Sequence, residues 1–352
     1  MNFASDNTSP AAPGIVDALL AANTGCVPSY GAEHAMDELT VLIRDLFESP
    51  QANVFLVGTG TAANALAVAS VCPPWGTVFC HRESHVNQDE CGAPEFFTGG
   101  SKLTLVDGDH ARIDSRHLQR ALEETGCLGV HNVQPGSLSL TNATEFGTVY
   151  MPDEISALTS LARDADIPTH LDGARFANAL IATASTPAEL SWRVGIDILT
   201  LGGTKNGLFG AEAVIFFNPS HIAAFEFRRK RAGHLHSKHR YLSAQMLAYL
   251  QDDLWLKLAQ RANAAASTLA NGLRAIPSIT LIHPAQANMI FFSAPRSLHR
   301  FLRERGAVYY LLPPDPDPDG AEEACLTGRL VCNWQTDSDS IDSFLDHCRD
   351  YQ

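Results

Sequence analysis

Lys205 sits in the run GGTKNG at 202–207, directly after the short apolar stretch 196–201. Such a stretch, rich in β-branched residues and bounded by glycine, predicts a strand buried in a sheet. The two glycines let the chain turn sharply and approach a ligand closely. A lysine on the loop beyond a strand lies where open α/β sheets keep their ligands. With few cations near it in sequence, such a lysine can have its pKa lowered and act as an amine nucleophile. A surface lysine on a loop is the plainer reading, and what decides against it lies upstream. In IPTHLDGAR at 167–175, a strand over 169–171 ends in Asp172, Gly173 breaks it, and Arg175 follows. Buried carboxylates at strand ends are rare unless paired. Asp172 precedes Lys205 by about one strand–helix–strand repeat, with the intervening helix expected near 188–194, so both side chains should emerge at one sheet edge.

The third piece is GTGTAAN at 58–64, between a strand over 53–57 and a helix continuing through Leu66, Val68 and Val71. Exposed amides and the helix dipole make such a helix start a phosphate site. Gly58, Gly60 and Ala63 also satisfy the G-x-G-x-x-G/A dinucleotide pattern. That pattern needs an acidic residue about 20 residues on, ending the second strand. Here the strand 77–80 runs into His81 and Arg82, with Glu83 one step into the loop. A monophosphate cup with Gly60 and Thr61 as donors is the better reading. An acid for a pyridinium nitrogen, a lysine for a Schiff base and a phosphate cup form a matched set that points to pyridoxal phosphate. A bare Asp172–Lys205 ion pair would leave the Gly/Thr loop unexplained.

Other candidates are more open. His85, in the polar loop ESHVNQDE at 83–90, is free to stack on or hydrogen-bond a ligand, or belongs equally to a helix-capping segment. Tyr30, in PSYGAE at 28–33, is a core aromatic, a ligand contact or an interface residue. FEFRRKR at 225–231 is a phosphate anchor or, more commonly for a charge run, a solvated face. The loop DPDPDG at 315–320 imitates the start of a calcium loop, but Leu326 stands where a bidentate glutamate is required. No metal is expected.

The elements that must carry these residues alternate between strand and helix. Strands are expected at 102–106, within 129–140 and at 213–217, and helices at 15–22, from Met36 to Leu46, at 114–124 and at 155–165. That alternation predicts a large α/β domain with a mainly parallel sheet. A long alanine-rich helix at 241–265 is expected to bridge to a small α+β lobe. The lobe has strands at 279–283, 288–292 and 329–332 and helices at 298–305 and 341–351. The division is placed at 1–240 and 241–352. The chain has 352 residues, 45% hydrophobic and 18% charged, which is globular, and its net charge of −14 disfavours nucleic acid and anionic membranes as partners. Eight scattered cysteines with no C-x-x-C pair, and an N-terminus with no basic or apolar leader region, fit reduced thiols in the cytoplasm.

These segments together resemble the threonine aldolase family, within the β-eliminating-lyase branch of fold-type I pyridoxal-phosphate enzymes. The resemblance runs over nearly the whole chain: FASDNTSP, PSYGAEHAMDEL, GTGTAAN, ESHVNQDE, HLDGARFANA, TLGGTKNGLFG, FRRKRAG and GRLVCNWQT. It implies the aspartate-aminotransferase fold, with a seven-stranded large domain. It implies Lys205 as the lysine that carries the cofactor, Asp172 at the pyridine nitrogen, His85 stacked on the ring, and Gly60 and Thr61 at the phosphate. Ser5, Arg175 and Arg329 would bind the substrate carboxylate, and Tyr30 would reach across a subunit boundary of a tetramer built from dimers. Two departures stand out. Family members commonly carry E-N-T-H-N where this chain has NATEF at 142–146, so Glu145 takes the place of a histidine often discussed as a base. Many also carry G-G-G-M-R-Q where this chain has GHLHSK at 233–238; Arg229, Arg231 or Lys238 would then take over part of the missing arginine's role at the cofactor.

The activity implied is cleavage of threonine, allo-threonine or a related β-hydroxy-α-amino acid, phenylserine included, to glycine and an aldehyde. His85 is the first choice as base for the β-hydroxyl and Glu145 the second. The alternatives are another β-eliminating lyase or aminotransferase on the same scaffold and, more distantly, a cofactor-free binding protein.

Overall fold

The structure, a computed structural model, describes residues 1–312 and 320–351. The DPDPDG loop, apart from Gly320, lies outside the described residues. Seven strands, β1 (Asn53–Val57), β2 (Gly76–His81), β3 (Lys102–Val106), β4 (Gln134–Thr141), β5 (Thr169–Gly173), β6 (Ile198–Gly202) and β7 (Glu212–Phe216), form one sheet in the order β1-β7-β6-β5-β4-β2-β3. Strands β2 to β6 are parallel; β7 is antiparallel to both β6 and β1, so β1 points with the parallel set. Strands β2, β5, β6 and β7 are buried along their whole length. Burial on both faces is why they read as continuous rather than alternating apolar runs.

The helix Gly60–Val71 is buried from Ala62 through Ala69 and packs across β1, β4, β5, β6 and β7. Its alanines let it lie close on the sheet, and a helix apolar all round is a buried one. It therefore carries whatever follows β1 over the middle of the sheet.

Two helices differ from expectation. The β5–β6 crossover helix is Phe176–Thr183, and the stretch 188–194 holds only the short 3-10 turn Trp192–Val194. FANALIAT is so uniformly apolar that it shows no helical period, and it ends where Ala184 takes a left-handed φ of 52° ahead of Pro187. The stretch 241–265 is two helices, Arg240–Leu250 and Leu254–Arg274, split at Gln251–Asp253, where Asp252 and Asp253 have φ of 51° and 56°. Aspartate tolerates that conformation better than most side chains.

The helix Arg240–Leu250 packs Leu242, Met246 and Tyr249 into the main core; Leu254–Arg274 starts there with Trp255 and Leu258 and ends with Leu269 and Leu273 in a second core. That second core lies on an antiparallel sheet of β8 (Thr280–Leu281), β9 (Met289–Pro295), β10 (Tyr310–Leu312) and β11 (Cys325–Val331), ordered β10-β11-β9-β8. The N-terminus joins this lobe: Phe3 is buried in its core, donates its N–H to Val308 and accepts from the N–H of Val331. No helix among the described residues is long and apolar enough to cross a membrane, and all eight cysteines are free thiols.

Candidate active site

Strands β5 and β6 pair in the register Asp172↔Thr200, and β6 leaves the sheet at Gly202. A Cβ on Gly202 would fall 2.3 Å from the Ala174 carbonyl oxygen; one on Gly203 would fall 2.3 Å from Leu208 Cδ1 and 2.7 Å from the Ala211 oxygen. Gly203 has a φ of −120°, so clearance rather than an unusual dihedral is what requires glycine there. The close approach expected toward a ligand is made to the chain's own backbone. It folds the turn Thr204–Asn206 back against the segment that follows Asp172.

The turn is fastened on both sides of Lys205. Glu212, opening β7, accepts from the Gly203 N–H at 2.8 Å and from the Thr204 hydroxyl at 2.6 Å. Asn206 donates to the Tyr249 hydroxyl at 2.8 Å and to the Trp255 carbonyl at 2.9 Å. Between these anchors Lys205 faces a cavity of about 220 Å³, also lined by Asp172, His85, Gly60 and Thr61. It makes no hydrogen bond or ion pair among the described residues.

Asp172, next to last in β5, has both oxygens held: Oδ1 accepts from the Ala174 N–H at 2.9 Å and Oδ2 from Asn64 at 2.9 Å. Asn64 also donates to Glu90 at 2.8 Å, and Glu90 bonds Nδ1 of His85 at 2.8 Å. His85 opens the short helix His85–Gln88 and is one-quarter exposed, while the Glu90 side chain is wholly buried. The Glu90 hydrogen bond raises the His85 pKa against the effect of burial, with Asp172 and Glu145 adding to the rise and Lys205 opposing it. Burial raises Glu90 in turn.

The cup on the far side is the start of the helix Gly60–Val71. Thr59 caps it by accepting from the Ala62 N–H at 3.2 Å. The amides of Gly60 and Thr61 have no acceptor among the described residues, and the space above Gly60 is open for 4 Å. Two unsatisfied N–H groups at a helix start fit a phosphate group. Beside the cup, Gly58 donates its N–H to Nδ1 of His234 at 3.4 Å, and the His236 ring lies 3.4 Å from where a Gly58 Cβ would be. Arg229 is elsewhere. It is buried, donates to His239 at 2.8 Å and lies 5.9 Å from the Phe55 ring centroid, outside the cavity lining. The cationic run 228–231 ends a helix, Ile222–Arg231, in which Arg229 is the one buried cation and Arg228, half-buried, donates to the Phe97 carbonyl.

Arg175 and Arg329 come together from opposite lobes. Arg175 is buried and forked onto Asp6, with Nε at 2.6 Å from Oδ2 and Nη2 at 3.1 Å from Oδ1. Asn288, from the small lobe, adds a third bond to Asp6 at 3.1 Å. Arg329 donates to the Ala4 carbonyl at 3.2 Å and lies 5.2 Å from the Tyr310 ring centroid, with its Nε buried and without a partner among the described residues. Burial and then the nearby positive charge of Arg175 lower its pKa. Glu145 belongs to the same space: burial raises its pKa, and Lys205, Arg175 and His85 pull it down. Ser5 caps the turn Asp6–Thr8, its hydroxyl accepting from the Asn7 N–H at 3.1 Å. Tyr30 is half-exposed and its ring lies 4.7 Å from the Lys230 ammonium, away from the cavity.

Asn64, Glu90, Glu212 and Asp6 did not stand out in the sequence. Asn64 was the legible one, because a lone amide among alanines in a buried helix must find polar partners. The other three are acids whose burial no local pattern announces.

A model of the beta-eliminating lyase family matches residues 2–295. The low specificity L-threonine aldolase of Pseudomonas aeruginosa is 39% identical over 340 residues, covering 96% of this chain and 94% of that one. An enzyme of the same description from a Pseudomonas species is 38% identical over 336 residues, 95% of this chain and 93% of the other. Among solved structures, the threonine aldolase of Leishmania major superposes with a TM-score of 0.89 at 25% identity, over 99% of this chain and 98% of that one.

Proposed function

The chain belongs to the beta-eliminating lyase family, and on that premise we propose that it is a pyridoxal-phosphate-dependent aldolase cleaving L-threonine, L-allo-threonine or a related β-hydroxy-α-amino acid to glycine and an aldehyde. The observation that carries the reading is one cavity lined by Lys205, Asp172, Gly60 and Thr61, in which, among the described residues, the lysine has no hydrogen bond or ion pair and the two helix-start amides have no acceptor. The two relatives from Pseudomonas bear the name of this activity.

The residues divide the work by position. Lys205 offers its amine from a turn held on both sides, which fixes where its side chain leaves the backbone. Gly60 and Thr61 bind the cofactor phosphate through their amides, with the helix dipole behind them. Asp172 holds the proton of the cofactor's ring nitrogen; its own two oxygens are oriented by Ala174 and Asn64. Bound pyridoxal phosphate supplies the electron sink for the pair released when the Cα–Cβ bond breaks. Arg175 and Arg329 would bind the substrate carboxylate and so orient the substrate within the site. Of the two, Arg175 is already neutralised by Asp6, and Arg329 is the one with no carboxylate partner among the described residues. His85 takes the β-hydroxyl proton on Nε2, because Nδ1 is committed to Glu90. Glu145, kept above the usual carboxylate range by burial, is the second candidate for that proton.

The working form is proposed to be a cytoplasmic tetramer built from dimers, with Tyr30 offered across a subunit boundary. Its half-exposed ring outside the cavity supports a role completed by another copy of the chain. The test is the absorption spectrum of the purified protein followed by product analysis with threonine and phenylserine. A visible band that vanishes in Lys205→Ala, with glycine and an aldehyde as products, is expected. A colourless protein that takes up no pyridoxal phosphate, or keto-acid products, would overturn the reading.

A further inference from the structure

His85 is only one end of a connected polar chain. Asn64 has two N–H groups; its amide nitrogen lies 2.8 Å from Oε1 of Glu90 and 2.9 Å from Oδ2 of Asp172. The same Oε1 of Glu90 lies 2.8 Å from Nδ1 of His85. The three acid–base groups sit within 4.8 Å of one another at their polar atoms. Oε2 of Glu90 and Oδ1 of Asn64 are buried with no partner among the described residues. The two buried carboxylates share the Asn64 amide, and Glu90 also holds the His85 imidazole.

We propose that Glu90 is the positioning residue for His85: it holds the ring by Nδ1, leaves Nε2 to face the cavity as proton acceptor, and is tied through Asn64 to the carboxylate of Asp172. The assignment rests on the reading of His85 as the base. A carboxylate on one imidazole nitrogen fixes the tautomer and orientation of the other. Here the arrangement has a further consequence. Glu90 is wholly buried, so its charge acts on His85 with little screening. The charged groups that face His85 are Glu90 on its own segment, Asp172 from β5, Glu145 from the loop after β4, and Lys205 from the turn after β6. Of these, Glu90 alone touches the ring. The pH at which Nε2 becomes free to accept a proton is therefore set chiefly by Glu90, and Asn64 couples that setting to the state of Asp172.

The test is histidine-labelled nitrogen NMR on the cofactor-free full-length chain, with the His85 signal assigned by its loss in His85→Asn. In the wild type the neutral ring is expected as the Nδ1–H tautomer; the Nε2–H tautomer would overturn the proposal with no variant needed. In Glu90→Gln, which keeps the shape and removes the charge, the His85 midpoint should fall by about one pH unit or more. The acid limb of kcat/KM for threonine should move down in pH with it. Glu90→Asp should restore most of the midpoint. A midpoint unchanged or raised in Glu90→Gln would show that Glu90 only fills space, and would overturn the proposal. The NMR readout needs no cofactor, so failure of the aldolase reading would appear separately, as absence of pyridoxal-phosphate binding by the wild type.

Discussion

Removing the Asp6 carboxylate should destabilise this protein more than any single surface change, and it should do so through Arg175. The pair is forked, with contacts of 2.6 and 3.1 Å, and both side chains are at least nine-tenths buried. Breaking a buried pair by removing one partner leaves an uncompensated charge and costs about 3–5 kcal/mol. Asp6→Leu also strips a hydrogen bond from Asn288 of the small lobe, so the upper half of that range is expected. Urea unfolding followed by tryptophan fluorescence, at one fixed protein concentration because assembly shifts apparent stability, reads the difference. The double variant Asp6→Leu/Arg175→Met should recover most of the loss, since a well-packed apolar pair replaces a buried ion pair at little cost. The pH dependence has a definite sign. Burial pushes the Asp6 carboxyl up, but Arg175, Lys205 and the hydrogen bonds from Arg175 and Asn288 together hold it below the ordinary value. Its stabilisation is thus complete above the unfolded pKa of about 3.9 and is lost as pH falls through the lower folded value. The gap between wild type and Asp6→Leu should be constant above the unfolded pKa and narrow as pH falls from there through the folded value. A single variant costing under about 1 kcal/mol, or a double variant as unstable as the single, would refute the reasoning.

Gly203→Ala should displace the turn that carries Lys205, because its Cβ would lie 2.3 Å from Leu208 Cδ1 and 2.7 Å from the Ala211 oxygen. The expected cost is about 1–3 kcal/mol in thermal unfolding, together with weaker uptake of pyridoxal phosphate by titration. Arg329→Gln should raise KM for threonine roughly 10- to 100-fold, the worth of a hydrogen bond to a charged group, and leave the cofactor's absorption band unchanged in steady-state spectra. Saturation with pyridoxal phosphate at about 100 times its Kd should stabilise the wild type by about 2.7 kcal/mol; in Lys205→Ala the same addition should give a smaller gain in the same melts.

Much of the site was readable along the chain because three of its parts are local. GTGTAAN, HLDGAR and GGTKNG each join a strand end to a loop, and a strand end in a parallel sheet has one destination, the carboxyl edge. The strands β5, β6 and β7 are buried along their whole length and β1 on one face, and all of them read as short apolar stretches, so the strands of the large sheet were legible as well. The errors came where local pattern is silent. FANALIAT is buried over its first five residues and half-buried over the rest, with no solvated face to give it a period, so local pattern puts the crossover helix at 188–194 instead. The break at Gln251–Asp253 rests on two aspartates in a left-handed conformation inside an otherwise helical sequence.

What the sequence determined by itself was that Lys205, Asp172, Gly60 and Thr61 gather at one edge of the sheet, each set by a strand end or helix start close to it in the chain, while His85, left open by its own segment, joins them in the cavity lining. What only the tertiary structure decided was which charges are already spent. Arg175 is neutralised by Asp6, 169 positions away, and Arg229 is committed to His239 inside the fold. His85 is held by Glu90, which a buried amide joins to Asp172, 108 positions from that amide. Electrostatic partners are chosen by distance and burial in three dimensions, and neither leaves a period or a motif in one.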